Sequence, residues 1–192
     1  MNDKIKLFTF SNQITERSLD SVEQNLGLDL GRDLIYVNDK DEDFYPQFEQ
    51  VVRNKAKEMA AHYELFYCLE VSIRKIIKEK LTAELGENWW DTADIPTDIR
   101  NNVAVNMQKD LDSAFTPRSD DEIDYTSFGE LGEIVRKNWA RFGDIFNSQK
   151  AFNKVMTSLN LLRGPIAHCS PLAADEVMRL RVTLGDWFRL MA

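Results

Sequence analysis

Histidine, cysteine and proline are all scarce in this chain of 192 residues, at two, two and five. Two cysteines, Cys68 and Cys169, cannot build the disulfide framework of a small secreted domain. With only two histidines beside them and no close ligand spacing, they also fail the pattern of a structural zinc site. His168 and Cys169 are adjacent, but neighbours in a chain rarely point at one another, and a thiol nucleophile normally meets its base through the fold. Five prolines and eight glycines leave no room for long disordered or collagen-like segments. There is no Gly-rich phosphate loop, no GxSxG, no HExxH and no internal repeat, which removes several enzyme classes. No 18 apolar residues occur together, and the opening M-N-D-K-I-K-L-F-T-F has no run of signal-peptide length. The expectation is a soluble, cytoplasmic protein with no membrane contact. Positive charge is short as well: 24 Lys and Arg stand against 32 Asp and Glu, a net charge of −8. A general polyanion binder runs the other way. An RNA substrate held in a local positive cleft is still compatible with this balance, and so is a basic protein partner.

What the chain has is apolar and aromatic substance: 43% hydrophobic residues, with 11 Phe, 4 Trp and 5 Tyr. That suffices for one domain, or one domain with a small appendage. Residues 1–45 read as the appendage. K-I-K-L-F-T-F at 4–10 and D-L-I-Y-V at 33–37 predict short strands, with a helix over 18–26 between them and Gly27 and Gly31 as stops. The acidic run 39–43 reads as a linker. This segment is either a docking or dimer arm or a cover for part of the core.

Residues 46–192 read as helical. Phe48, Val51, Val52, Ala56 and Met59 recur at helical intervals, and Tyr63, Phe66, Leu69, Ile73, Ile76, Ile77 and Leu81 continue them. The spacing predicts one long helix, or two with a bend near residues 60–61. Glu70 and Arg74 stand at i,i+4 with the acid first, the favourable order; they form either a solvated surface pair or a half-buried pair aimed at a site. Trp89 and Trp90, after the break at Gly86, either fill the core or stack on bases. Thr97 reads as an N-cap for a helix with Ile99, Val103, Met107 and Leu111 on its apolar face. Residues 117–124 read as a charged loop that no core would accept. Phe128, Leu131, Val135, Trp139, Phe142 and Phe146 then predict one amphipathic helix, along which Arg136, Lys137 and Arg141 make the nearest thing to a basic stripe. Phe152, Val155, Met156, Leu159 and Leu162 predict the next helix. Val177, Leu180, Leu184, Trp187, Phe188 and Met191 predict the last. The fold class expected is mainly α, an up-and-down bundle of four or five helices with a small N-terminal α/β appendage.

The chemistry-bearing stretch is 158–172, S-L-N-L-L-R-G-P-I-A-H-C-S-P-L. Arg163 is a permanent cation with a planar fork suited to phosphate oxygens. His168 is of the residue type best placed to give and take protons near pH 7. Pro165 lacks an N–H and opposes a continuous helix, and Gly164 weakens one. The expectation is therefore a break or kink at 163–165, with His168 on the turn after it. On a straight helix the two residues would sit about 140° apart, so a break would help bring them to one surface. Ser170 and Pro171 then read as N-cap and first residue of the last helix. The plain alternative is a surface arginine and a capping histidine.

Arg163-Gly-Pro-Ile-Ala-His168, set between the third and fourth long helices of a bundle, resembles the Arg-x4-6-His signature of the HEPN superfamily. The wider string, with Tyr63-Glu-Leu-Phe66, Glu70, Arg74 and Trp89-Trp90, is similar to the branch found in stand-alone bacterial proteins and in a eukaryotic transcript-surveillance endoribonuclease. The resemblance covers about residues 58–191. It implies an all-helical fold and a metal-independent endoribonuclease without cofactor, often a homodimer in which two Arg–His motifs face one cleft. His168 would move protons as the RNA 2′-OH attacks its phosphate, and Arg163 would hold that phosphate; Glu70, Arg74, Arg136 and Arg141 would support the site or bind RNA. The family is common in toxin–antitoxin and anti-phage systems, which implies an antitoxin or regulatory protein as partner. Active members often carry a polar residue after the arginine, where this chain has Gly164. On that departure rests a second reading, a non-catalytic module that binds a protein or nucleotide. A helical scaffold without such chemistry is a third.

Overall fold

In a computed structural model the chain divides into two compact units, Met1–Glu49 and Gln50–Ala192. The structure describes residues 47–191 and, ahead of them, positions 18, 19, 22, 25 and 26, all five helical. The expected strands at 4–10 and 33–37 and the linker at 39–43 lie outside the described residues. Among those described, every regular element is a helix: α1 (Gln50–Leu85), α2 (Trp89–Thr92), α3 (Thr97–Asp112), a 3-10 turn (Glu122–Tyr125), α4 (Phe128–Lys137), α5 (Trp139–Phe142), α6 (Gln149–Ala167) and α7 (Ala174–Leu190). The fold is a mainly α bundle, with α1, α4, α6 and α7 as its long or central members.

The 36-residue α1 is the spine. Phe66, Leu69, Ile73, Ile77 and Leu81 bury a stripe at intervals of three and four, and this stripe faces α4, α5 and α6. The first turns are different. Val51 and Val52, which the periodicity assigned to the apolar face, are exposed, and Phe48 precedes the helix. Gly86 ends α1 at φ +85°, a left-handed conformation that a side chain would strain. Trp89 and Trp90 follow at once and are buried, their rings edge-to-face at 5.5 Å. They are core residues and do not offer a face to a base.

Several local expectations are corrected by tertiary contacts. Pro96, not Thr97, is the N-cap of α3, and Leu111 at the far end is exposed. The charged loop sends Ile123 and Tyr125 into the core through its 3-10 turn. Its Arg118 meets Asp110 with two 2.9 Å hydrogen bonds, and the Tyr125 hydroxyl donates to the Ser119 carbonyl at 2.9 Å. The helix foreseen from Phe128 to Phe146 is two, α4 and α5. It breaks at Asn138, which is buried because its amide donates to the carbonyls of Asp94 and Ile134 and accepts from Asp94 N–H at 3.1 Å. Asn138 thus exchanges helical continuity for a tie to the segment after α2. Ser127 and Glu130 form a reciprocal capping box at the start of α4. Phe142, Phe146, Phe152 and Trp187 then pack into one aromatic cluster, with Phe146 4.8 Å from Phe152 and 5.4 Å from Trp187 between ring centroids. Each buried Phe contributes roughly 1.5–3 kcal/mol. On α7, Leu180 and Trp187 are buried as expected but Phe188 is exposed.

The largest correction concerns α6. It does not break at 163–165 but runs through Pro165 to Ala167. Pro165 lies in the last turn, so its missing N–H forfeits one bond, that to the Leu161 carbonyl, and Leu161 is on the exposed side. The stop comes five residues after Arg163. Ser170 N–H reaches the Pro165 carbonyl at 2.8 Å and Cys169 N–H the Ile166 carbonyl at 3.4 Å, a Schellman closure with Cys169 left-handed at φ +56°. Ser170 and Pro171 belong to the connector. The last helix starts at Ala174 after the N-cap Ala173, whose N–H is taken by Glu176 at 2.9 Å.

The C-terminal end of α1 is fastened by charge. Arg141 donates to Glu84 at 2.8 Å, and Lys80 bridges Glu84 and Asp144 at 2.9 and 2.8 Å. Hydrogen bonds from Lys80, then from Arg141, hold the Glu84 carboxyl below its ordinary value of 4.5. A carboxyl whose folded value is depressed contributes stability fully above its unfolded value and loses it as pH falls through the folded one. Urea midpoints of Glu84→Gln and wild type should therefore differ most at pH 6–7 and converge toward about pH 3. A gap that stays constant across that range would exclude the charge as its cause.

Candidate functional site

Where α1 crosses α6, two arginines share one carboxylate. Arg163 on α6 donates its Nε–H to Glu70 Oε2 at 2.9 Å, while Arg74, one turn along α1 from Glu70, donates from Nη2 to Oε1 at 2.5 Å. Arg74 also donates to the carbonyls of Ile123 at 3.2 Å and Thr126 at 2.8 Å, and Asp124 lies 4.0 Å away. Glu70 and Arg74 are 13% and 17% exposed, so the pair is not a solvated surface pair. Arg163, at 35%, is the exposed member. Its partners explain its orientation. One edge is held by Glu70, and its two terminal nitrogens have no hydrogen bond among the described residues. A guanidinium fixed by one edge keeps the two-pronged face that carboxylates and phosphates accept.

Arg163 lines a cleft of about 250 Å³ together with Tyr63, Tyr67, Val71, Glu70, Arg74 and Ile166, among others. Its charged lining is Arg163, Arg74 and their shared Glu70, with Asp124 4.0 Å from Arg74, so the cluster is balanced and Arg163 is the cation left half-exposed. Two further clefts, of about 340 and 400 Å³, contain none of the Glu70–Arg163 cluster. Arg136 lines the first of these and pairs with Glu133. Arg141 is committed to Glu84. Both arginines of the basic stripe are thus held in ion pairs, and neither joins Arg163.

His168 stands apart. It caps α6, is exposed, and its imidazole has no hydrogen bond among the described residues. Because α6 is unbroken, Arg163 and His168 lie about 140° apart around the axis and roughly 7.5 Å along it. The expected break that would have turned them to one surface is absent. Gly164 between them has no left-handed φ, and a Cβ there would meet nothing within 4 Å. Both thiols, Cys68 and Cys169, are free and exposed.

Sequence reasoning missed Tyr67 as a lining residue and read Tyr63 as part of an apolar stripe and of the family resemblance, not as part of a site. The signal was present. Tyr63, Tyr67, Glu70 and Arg74 follow one another at spacings of four, three and four, a stripe beside the core stripe of Phe66, Leu69 and Ile73.

Glu70 is the member whose loss should be felt most. Glu70→Gln leaves two guanidinium groups facing each other without their anion and should lower stability by roughly 1–3 kcal/mol. In a double-mutant cycle with Arg163→Ala the two losses should fall short of additive by more than about 0.5 kcal/mol in urea unfolding; additive losses would mean that the bridge carries no coupling.

Residues 64–192 match the family described as Swt1-like HEPN. No curated protein and no solved structure matches the chain.

Proposed function

The chain belongs to the Swt1-like HEPN family, and from that premise we propose that it is a metal-independent endoribonuclease, a toxin or anti-phage effector acting on cytoplasmic RNA. The observation that supports this best is the half-tethered Arg163, held by its Nε alone and lining a cleft between α1 and α6. In the reaction the RNA 2′-OH attacks the adjacent phosphorus and the bond to the 5′ oxygen breaks. The products are a 2′,3′-cyclic phosphate and a 5′-hydroxyl. Arg163 takes the non-bridging oxygens and stabilises the charge that grows on them. His168 serves proton transfer, removing a proton from the 2′-OH or delivering one to the departing oxygen. Since DNA lacks the 2′-OH, it is not cut.

The angular separation of Arg163 and His168 on one helix supports a composite site. A two-fold pairing of chains would bring two of each residue to a common cleft and let one histidine accept a proton while the other donates. A second reading, a non-catalytic module binding a protein or nucleotide, draws on Gly164, which presents no polar side chain beside Arg163.

Purified protein should cleave RNA in EDTA, spare the matching DNA and yield cyclic-phosphate ends. His168→Ala should slow this by roughly 10²–10⁴-fold, and Arg163→Ala by about 10²–10³-fold. Arg163→Lys should recover only part, since an ammonium lacks the planar fork. A Cβ at Gly164 meets nothing within 4 Å, and Gly164→Asn should leave the rate unchanged or raise it. Equal traces of product from wild type and His168→Ala would identify a contaminant and favour the binding module.

The dimer has its own readout. Light scattering at tens of micromolar should give twice the chain mass of 22.3 kDa. Mixing inactive Arg163→Ala with inactive His168→Ala should restore a fraction of the activity, because mixed pairs keep one intact member of each kind. A monomer by scattering, with no rescue on mixing, would leave the composite site without support.

A further inference from the structure

Tyr63 and Tyr67 are large aromatic residues in the wrong place for a core. They are 61% and 59% exposed, one helical turn apart on α1, with ring centroids 6.3 Å apart and planes inclined by 36°. Their hydroxyls make no hydrogen bond among the described residues. Tyr125 shows what a structural tyrosine looks like in this protein: it is 4% exposed, its hydroxyl is bonded to a carbonyl, and the Arg118 guanidinium lies 4.7 Å from its ring. Tyr63 and Tyr67 have none of this, and they line the same cleft as Arg163. Val71, one turn further on, is also 44% exposed and continues the apolar wall toward the guanidinium.

We propose that Tyr63 and Tyr67 form a stacking platform for unpaired bases of single-stranded RNA, next to the phosphate held by Arg163. The inference rests on the reading of the Arg163 cleft as the RNA site. Three observations select this occupant. The first is charge. With a net charge of −8 and Arg136 and Arg141 neutralised locally, the chain has little to offer a run of phosphates, so affinity must come from another source. Stacking supplies it, since every base has an apolar face and an aromatic side chain accepts any of them. The second is juxtaposition. An aromatic wall and one two-pronged cation in a single cleft match the two faces of a nucleotide, base and phosphate, at one position. The third is size. A cleft of about 250 Å³ between two helices admits a splayed base, whereas the bases of an A-form duplex are stacked inside and beyond reach of these rings.

The platform reads no base edge, so it should prefer single strands over duplex without strong sequence choice. It also ignores the 2′-OH, so single-stranded DNA should bind although it is not cut. Contact with one or two phosphates should give a shallow salt dependence, a slope of log K against log salt of about −1.

The test uses the full chain carrying His168→Ala, so that RNA stays intact, and reads the fluorescence anisotropy of labelled ten-nucleotide probes. Single-stranded RNA and DNA should bind alike, and duplex RNA at least about tenfold more weakly. Adding Tyr63→Ala or Tyr67→Ala should weaken single-strand binding by roughly 5- to 100-fold. The matching Phe variants should retain it, because the hydroxyls are unused. Both residues are exposed, so melting temperatures should hardly move, and a variant that keeps its melting point and dimer mass yet loses binding can only have lost a contact. The platform is overturned if the Ala variants bind as tightly as their parent, if duplex competes equally, or if the salt slope is steep. It is also overturned if the Ala substitutions convert a dimer to a monomer, since the tyrosines would then belong to a second copy of the chain. The two readings separate cleanly. Tyrosine-dependent binding by a chain that cleaves nothing with His168 restored keeps the platform and removes the nuclease. Cleavage by wild type that Tyr63→Ala and Tyr67→Ala leave untouched at low RNA concentration keeps the nuclease and removes the platform.

Discussion

One carboxylate, that of Glu70, holds the cleft together. Its two oxygens bind two arginines that come from different helices, and each arginine gains a different role from the same anion. Arg74 is drawn inward and spends its remaining donors on the carbonyls of Ile123 and Thr126, which pins the 3-10 turn against α1. Arg163 is caught by one edge only. Without Glu70, two guanidinium groups would repel across a half-buried crossing, where solvent screens them less than at the surface. Asp124, 4.0 Å from Arg74, supplies a second carboxylate, so the exposure of Arg163 and not a surplus of charge is the by-product of the bridge.

The continuity of α6 is the second constraint. A proline in the last turn removes a single hydrogen bond, and the exposed side of the helix tolerates that loss because water can reach the orphaned carbonyl. The helix then carries Arg163 against α1 and releases His168 at its tip. The Schellman closure that follows places a non-glycine residue, Cys169, in the left-handed region, at a strain of about 1–2 kcal/mol. The bonds from Ser170 and Cys169 to the last turn hold that conformation. The outcome is division: the arginine belongs to the wall of a cleft, the histidine to a free end, and the chain by itself turns them different ways.

Charge elsewhere is consumed in fastening. Lys80, Glu84, Arg141 and Asp144 tie the end of α1 to the region of α5, Arg118 clamps Asp110, and Arg136 closes on Glu133. A stripe of arginines along a helix therefore does not amount to a basic surface. What decides is whether the anion that each meets was brought there by the same fold.

The sequence by itself determined the class of fold, because burying a helix face needs only periodicity: the stripes of α1, α6 and most of α7 are legible as written, and Phe66, Leu69, Ile73, Phe152, Val155 and Leu159 are all buried. It also showed the Arg163–His168 spacing and, with it, the family. Tertiary structure alone decided where elements stop and what polar groups meet. Asn138 interrupts a helix-forming pattern because its amide finds the backbone of Asp94, 44 residues away. Ile123 enters the core from a charged loop because Arg74 anchors its carbonyl. Glu70 meets Arg163 across 93 residues, and Tyr63 and Tyr67, on the same helix, stay exposed although they continue its periodic pattern. Periodicity is a local property and survives any arrangement of the helices. A hydrogen bond between distant residues exists only in one arrangement, so no local reading of the chain contains it.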